Sequence, residues 1–169
     1  MSKRIIEDVI NEALTGEYQK NALDLMAWLR ENKFNPLQSS KTTWKISAKS
    51  CVVCYFRFDF NAGAIQIQPI ISEYKNDSLT DNLKQIALTN KVHGRYCGER
   101  CHGSQCSYML KTLFGEKNSD SCGQSIVFTN PNADENECIK ELIRIRKNVI
   151  QKGVLMPILP RNFSLQDYK

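Results

Sequence analysis

Four cysteines fall within one short, glycine-rich stretch of the chain, and they are its best candidates for chemistry. They are Cys97, Cys101, Cys106 and Cys122. Cysteine thiolates are preferred zinc ligands, and glycine permits the tight backbone turns that bring several sulfurs together. We therefore predict a tetrahedral metal site built from these four side chains, with zinc as the metal.

The spacing of these cysteines leaves other interpretations open. Three, four and fifteen residues separate successive cysteines, which is looser than the paired Cys-x-x-Cys of standard zinc ribbons. His93 or His102 could replace one thiolate, because imidazole is also a zinc ligand. The cysteines could instead be free thiols, or two of them could form a disulfide. Zinc is favoured over an iron–sulfur cluster because the close-packed cysteine run of bacterial ferredoxins does not occur.

A zinc ion held by four protein ligands keeps no position for water or substrate, so the predicted site is structural. It would cross-link and stabilise a cysteine-rich insertion of about residues 91–123. The chain has two histidines in all, which is little material for acid–base catalysis, and it has no Walker loop, dinucleotide fingerprint or nucleophile elbow. We predict no catalytic residue and no bound organic cofactor, and an enzyme is not the favoured interpretation.

The remaining cysteines, Cys51, Cys54 and Cys138, are predicted to be packing residues. On a regular strand, positions 51 and 54 face opposite sides of the sheet, which argues against a chelating or redox pair. Cys54 shares its face with phenylalanines, and Cys138 lies on the apolar stripe of a helix.

The pattern of apolar residues predicts an α+β fold, with an antiparallel sheet of about four or five strands flanked by helices. Helical periodicity covers Ile5–Leu14, about Glu17–Glu31 and about Ala133–Gln151, and a shorter helix follows Ser78 as its cap. Alternation predicts short strands at 44–47 and 125–129, and a hairpin from Cys51 through the turn 61–63. Trp44, Tyr55 and Arg57 lie on these strands and could line a concave small-molecule surface between the sheet and the helices.

Length and composition set the remaining expectations. The 169 residues suit a single domain, 1–169, with an irregular C-terminal tail at 153–169. The N-terminus has no signal-peptide pattern and no stretch is apolar enough to span a membrane, so we expect a cytoplasmic protein with no membrane partner. The formal net charge of +5 is mild, and acidic residues dilute the basic and aromatic residues around the cysteines. Nucleic acid is therefore not expected as a partner.

Several runs resemble known sequences. The helix ALDLMAWLRENKFNP, the strands in TTWKISAKSCVVCYFRFD and the terminal-helix run ECIKEL are similar to small uncharacterised cysteine-containing proteins of Firmicutes. The resemblance spans about residues 18–150, and the chain is distantly similar to the YjbR-like and YdhG-like α+β domains. It implies a bacterial protein with helices on an antiparallel sheet and a cysteine-rich segment, and it implies no particular activity.

The sequence therefore predicts a non-enzymatic module that binds a small molecule or a protein partner and is stabilised by a structural zinc. Two alternatives stay open. The clustered cysteines could serve a thiol-dependent enzyme or redox sensor, or they could form a nucleic-acid-binding zinc knuckle.

Overall fold

In the computed structural model, which describes residues 4–72, 76–92, 110, 112–117 and 122–153, four α-helices accompany a five-stranded antiparallel sheet. The α+β class predicted from the sequence is confirmed. The helices are α1 (Ile6–Ala13), α2 (Gly16–Glu31), α3 (Asp81–Thr89) and α4 (Ala133–Gln151). The strands are β1 (Asn35–Ser40), β2 (Thr43–Ala48), β3 (Cys51–Asp59), β4 (Ala64–Pro69), β5 (Thr112–Leu113), β6 (Glu116–Lys117) and β7 (Phe128–Thr129).

The sheet is a meander of four consecutive strands, with β7 added beside β4. The hairpin between β3 and β4 turns where the sequence predicts, with Gly63 at a φ of 59°. The Asp59 carboxylate caps this turn by accepting hydrogen bonds from the N–H groups of Asn61 and Ala62, both at 3.1 Å. Strands β5 and β6 form a separate two-stranded hairpin.

The inner face of the sheet, which packs against the helices, is built from alternate apolar positions of β2, β3 and β4. The register places Trp44 opposite Phe56, and Phe56 opposite Ile67. Each of these side chains is at most 1% exposed, and Trp44 meets the ring of Phe58 edge-on at 5.3 Å. Helix residues complete the same core, among them Val9, Ile10, Leu25, Leu29, Ala87, Ile139 and Ile143. The core thus fixes which face of the sheet is left for other contacts.

Directional hydrogen bonds set the position of α4. Asn136 Nδ2 donates to the carbonyl of Asn21 on α2 at 2.8 Å, and Asn21 Nδ2 donates to the carbonyl of Pro131 at 3.2 Å. The helix begins with a capping box, in which Asn132 and Glu135 exchange side-chain-to-backbone hydrogen bonds of 2.9 Å. Because these groups must pair in one arrangement, they specify the register of α4 against α2.

Several elements differ from the sequence prediction. Strands β5 and β6 lie in the cysteine-rich insertion, where no strand is predicted, and β7 covers only Phe128–Thr129 of the predicted 125–129. Strand β1 is not predicted from the sequence, because its polar sequence NPLQSS shows no alternation of apolar and polar residues. It forms a strand through pairing with β2. It lies at the edge of the sheet, where Pro36 is tolerated. The third helix begins after Thr80, and Ser78 instead ends a short 3₁₀ turn. No helix within the described ranges is long and apolar enough to cross a membrane.

Candidate functional site

Cys122, the last of the four predicted metal ligands, occupies a buried position beside the end of β4. Its carbonyl oxygen accepts hydrogen bonds from the N–H of Ser125 at 3.0 Å and from the hydroxyl of the same residue at 2.7 Å. The carbonyl of Gly123 accepts the N–H of Ile71 at 2.7 Å. The residue is 8% exposed. Its location is therefore set by backbone bonds that tie the 122–125 turn to the sheet.

The chain enters the cysteine-rich insertion next to the place where it leaves it. Val92 donates its N–H to the carbonyl of Ser125 at 2.7 Å, and Lys91 forms an antiparallel bridge with Ile126. An extended chain spans at most about 3.6 Å per residue, so the five residues from Val92 to Cys97 can cover up to roughly 18 Å. This length permits the first predicted ligand to reach the last.

The middle of the insertion is anchored as well. Leu110, Leu113 and Phe114 are each at most 5% exposed and belong to the main hydrophobic core. Phe114 and Gly115 form the turn of the β5–β6 hairpin with φ values of 55° and 91°, as a tight hairpin of this kind requires. The insertion therefore has fixed points before, within and after its cysteines.

Of the four predicted zinc ligands, Cys122 is the one that lies within the described residues. Cys97, Cys101 and Cys106 lie outside the described residues, as do His93 and His102. Among the residues that are described, no three metal-binding side chains lie close enough to hold an ion. The zinc site thus stays a prediction, with one of its four ligands placed.

The prediction that Cys51 and Cys54 face opposite sides of the sheet is wrong. Strand β3 contains a β-bulge, because the pairing steps from Ile46–Cys54 to the pair of Ser47 with Val52 and leaves one extra residue on β3. Ala48 pairs with Cys51 and shares a face with Ile46, so both cysteines face the core. What separates this pair from a reactive dithiol is burial: Cys54 is fully buried, and burial raises the pKa of its thiol.

Cys138 is a packing residue, as the helical pattern predicts. It is fully buried on α4, and its sulfur donates to the carbonyl of Leu83 at 3.4 Å. Burial, together with the nearby charge of Glu135, raises the pKa of this thiol to about 12. Since the thiolate is the nucleophile, neither Cys138 nor Cys54 is suited to thiol chemistry at neutral pH.

We therefore expect Cys54 and Cys138 to resist alkylation by iodoacetamide in the native protein at neutral pH, while half-buried Cys51 reacts faster. Peptide mass spectrometry after timed labelling measures this, with urea-unfolded protein as the control in which all three react alike. Native labelling of Cys138 as fast as in urea would contradict the prediction.

The raised pKa of Cys138 also predicts a pH dependence of stability. The thiol loses its proton near pH 8.5, roughly, in the unfolded chain, whereas in the folded protein it keeps the proton up to about pH 12. The free energy of unfolding measured in urea should consequently fall as the pH rises above about 8.5.

The opposite face of the sheet, called here the outer face, is polar. It carries Thr43, Lys45, Tyr55, Arg57, Gln66 and Gln68. The predicted small-molecule surface of Trp44, Tyr55 and Arg57 does not form, because Trp44 lies on the inner face and the other two point away from the helices. Lys45 and Gln68 flank Tyr55 across the sheet. The alternation Ile-Gln-Ile-Gln marks the glutamines as outward in the sequence, but their neighbours depend on the register.

Gln68 and Tyr55 help to hold Arg57 in place on the outer face. Its Nη1 donates to Gln68 Oε1 at 2.7 Å, and buried Gln68 in turn donates to the carbonyl of Gln124 at 2.6 Å. The guanidinium carbon lies 5.4 Å from the centre of the Tyr55 ring. Burial lowers the pKa of Arg57 and outweighs the opposing effects of Tyr55 and Cys54. The sheet thus holds a partly desolvated cation and an aromatic ring in a fixed relation.

Comparison of the chain with protein-family models, with curated proteins and with solved structures gave no match in any of the three. The resemblance to cysteine-containing proteins of Firmicutes therefore stays a prediction. Function has to be argued from the residues themselves.

Proposed function

We propose that the protein is a cytoplasmic, non-enzymatic binding module whose cysteine-rich insertion is closed by a structural zinc on Cys97, Cys101, Cys106 and Cys122. The observation that carries the proposal is the placement of Cys122. It is buried in a turn that is bonded to the sheet on one side and to the start of the insertion, at Val92, on the other. A fixed ligand at the closing point of a long segment is the arrangement that a structural metal stabilises.

The chemistry of the donor set fits zinc. Four thiolates satisfy tetrahedral zinc and leave no open coordination position, so the ion would supply folding free energy and no reaction. A closed site of this kind cross-links the insertion in the way that a disulfide does, but it tolerates a reducing cytosol.

The alternative of a thiol-dependent enzyme or redox sensor requires a cysteine whose pKa is lowered by its surroundings. Within the part of the chain that the structure describes, burial shifts the pKa values of Cys54 and Cys138 in the opposite direction, upward. Any reactive thiol would therefore have to come from the insertion or from Cys51.

Metal removal tests the proposal. The thiols of native protein, purified without chelator, are titrated before and after treatment with a strong chelator. We expect the chelator to make four further thiols reactive and to weaken the folded structure seen by near-UV circular dichroism. An unchanged thiol count would overturn the zinc proposal, and a single hyper-reactive thiol at neutral pH would favour the enzyme or sensor instead.

A further inference from the structure

The sheet meander, residues 35–69, carries an excess of positive charge. This stretch carries four cations, Lys41, Lys45, Lys49 and Arg57, and a single carboxylate, Asp59. Its net charge of +3 is more than half of the +5 of the whole 169-residue chain. Net charge alone therefore understates the field at this part of the surface.

The single carboxylate of the meander already accepts hydrogen bonds from the backbone of its own turn. Asp59 lies at the far end of β3 and accepts two backbone N–H groups across the β3–β4 connection. The side chain of Lys45, in contrast, forms no hydrogen bond or ion pair with any residue of the described ranges. It sits in the middle of the outer face with Tyr55 directly across from it.

The helical layer on the other side of the sheet differs in its electrostatics. Several of its arginines and lysines pair with carboxylates at short range. The pairs are Arg30 with Glu7 at 2.9 Å, Lys140 with Glu137 at 2.5 Å, and Arg144 with Glu141 at 3.0 Å. The four helices carry 11 aspartates and glutamates against 7 arginines and lysines. The molecule is thus polarised, with a basic sheet meander and helices that carry an excess of carboxylates.

Three of the four cations of the meander lie on β2 or in the turns at its ends. Lys41 and Lys49 are exposed in the turns before and after β2, and Lys45 lies on the strand between them. At about 3.3 Å per residue, the six residues of β2 alone cover roughly 20 Å. A small anion needs donors that converge on one point, whereas cations spaced along a strand of this length match a linear polyanion. On the neighbouring strand β3, Tyr55 and Arg57 present an aromatic ring and a guanidinium plane, which are the groups on which unpaired bases stack.

We propose that the outer face of the sheet binds a single-stranded nucleic acid, with Lys45 and the turn lysines Lys41 and Lys49 contacting phosphates and with Tyr55 and Arg57 stacking on bases. This inference rests on the protein being a binding module, but it does not depend on the metal. It also places the nucleic acid on the sheet and not on the cysteine-rich insertion. Gln68 positions Arg57 for this contact, because its own amide is fixed by the carbonyl of Gln124.

Fluorescence anisotropy with a labelled single-stranded RNA of about 16 nucleotides tests the inference. We expect saturable binding at about 50 mM salt that weakens steeply towards about 200 mM. Lys45→Glu should weaken binding about tenfold or more, because it replaces a phosphate contact by a repulsive charge. Lys20→Glu makes the same change of charge at an exposed position of α2 and should alter binding less than about twofold.

Stacking is tested separately. Tyr55→Ala should weaken binding about fivefold or more, whereas Tyr55→Phe, which keeps the ring, should stay within about twofold. Circular dichroism of each variant checks the fold, and the phenylalanine variant keeps the test informative if the alanine variant does not fold. A duplex of the same sequence should bind more weakly, since its bases are not free to stack on the sheet.

Three results would overturn the inference: no saturable binding at low salt, equal loss for Lys45→Glu and Lys20→Glu, or competition by polyglutamate as effective as that by RNA. Zinc content is measured on the same sample. Zinc-loaded protein that does not bind RNA overturns this inference alone, whereas zinc-free protein that binds RNA overturns the metal proposal alone.

Discussion

Replacing Cys122 by serine is expected to weaken zinc binding by at least about 100-fold. Loss of even the outer partners of a metal ligand costs about 10- to 100-fold, and loss of a thiolate itself should cost more. The stabilisation that the metal gives the folded chain would disappear with it. For free zinc at about 1,000 times the dissociation constant, that stabilisation is about 4 kcal/mol.

The matched control is Cys51→Ser, which also removes one thiol but lies at the start of β3, within the sheet. Competition with a chromophoric zinc chelator measures affinity, and thermal unfolding with and without added zinc measures the linked stability. Zinc binding by the Cys122 variant as tight as that of the Cys51 variant would contradict the assignment of Cys122 as a ligand.

Replacing Trp44 by alanine is expected to lower the free energy of unfolding by about 3–5 kcal/mol. Trp44 is 1% exposed, faces Phe56 across the sheet and meets Phe58 edge-on, so truncation removes a large contact surface and leaves a cavity in the core. Because small domains are stable by only about 5–15 kcal/mol, much of the total would be lost.

Urea unfolding followed by circular dichroism measures the effect. Leu37→Ala is the control, because Leu37 lies on the neighbouring strand β1 but is 47% exposed. Its truncation should cost less than about 1 kcal/mol. Equal destabilisation by the two substitutions would contradict the placement of Trp44 on the inner face.

The helices could be predicted closely because their apolar stripes are local. Helix α4 spans Ala133–Gln151 as its periodicity predicts, and α2 differs from its predicted range by one residue, Gly16. The β3–β4 hairpin could be predicted for the same reason, since alternation and Gly63 both lie within a short stretch. Each of these signals is complete within the element itself.

Features that depend on pairing between strands could not be predicted. Strand β1 carries no apolar alternation, so its existence depends on β2 beside it. The bulge in β3 has no glycine to mark it, and it reverses the faces of Cys51 and Val52 relative to a regular strand. The outer-face row of Lys45, Tyr55 and Gln68 likewise exists only through the register of three strands.

The residue types of the candidate metal ligands could be predicted, because cysteines near glycines are a local signal in the sequence. The place where the two ends of the insertion meet could not be predicted, since the hydrogen bonds of Ser125 to Val92 and to Cys122 join residues on both sides of the insertion. Those bonds explain why Cys122 is a plausible partner for cysteines that precede it by as many as 25 residues.

The most direct test of the zinc proposal is elemental analysis of the full chain, purified without chelator and without a metal-affinity tag. We expect one zinc per chain, retained through gel filtration, in wild type and in Cys51→Ser, and less than about a tenth of that amount in Cys122→Ser. Absence of stoichiometric metal from the wild-type protein, with the thiols of the insertion freely reactive, would contradict it.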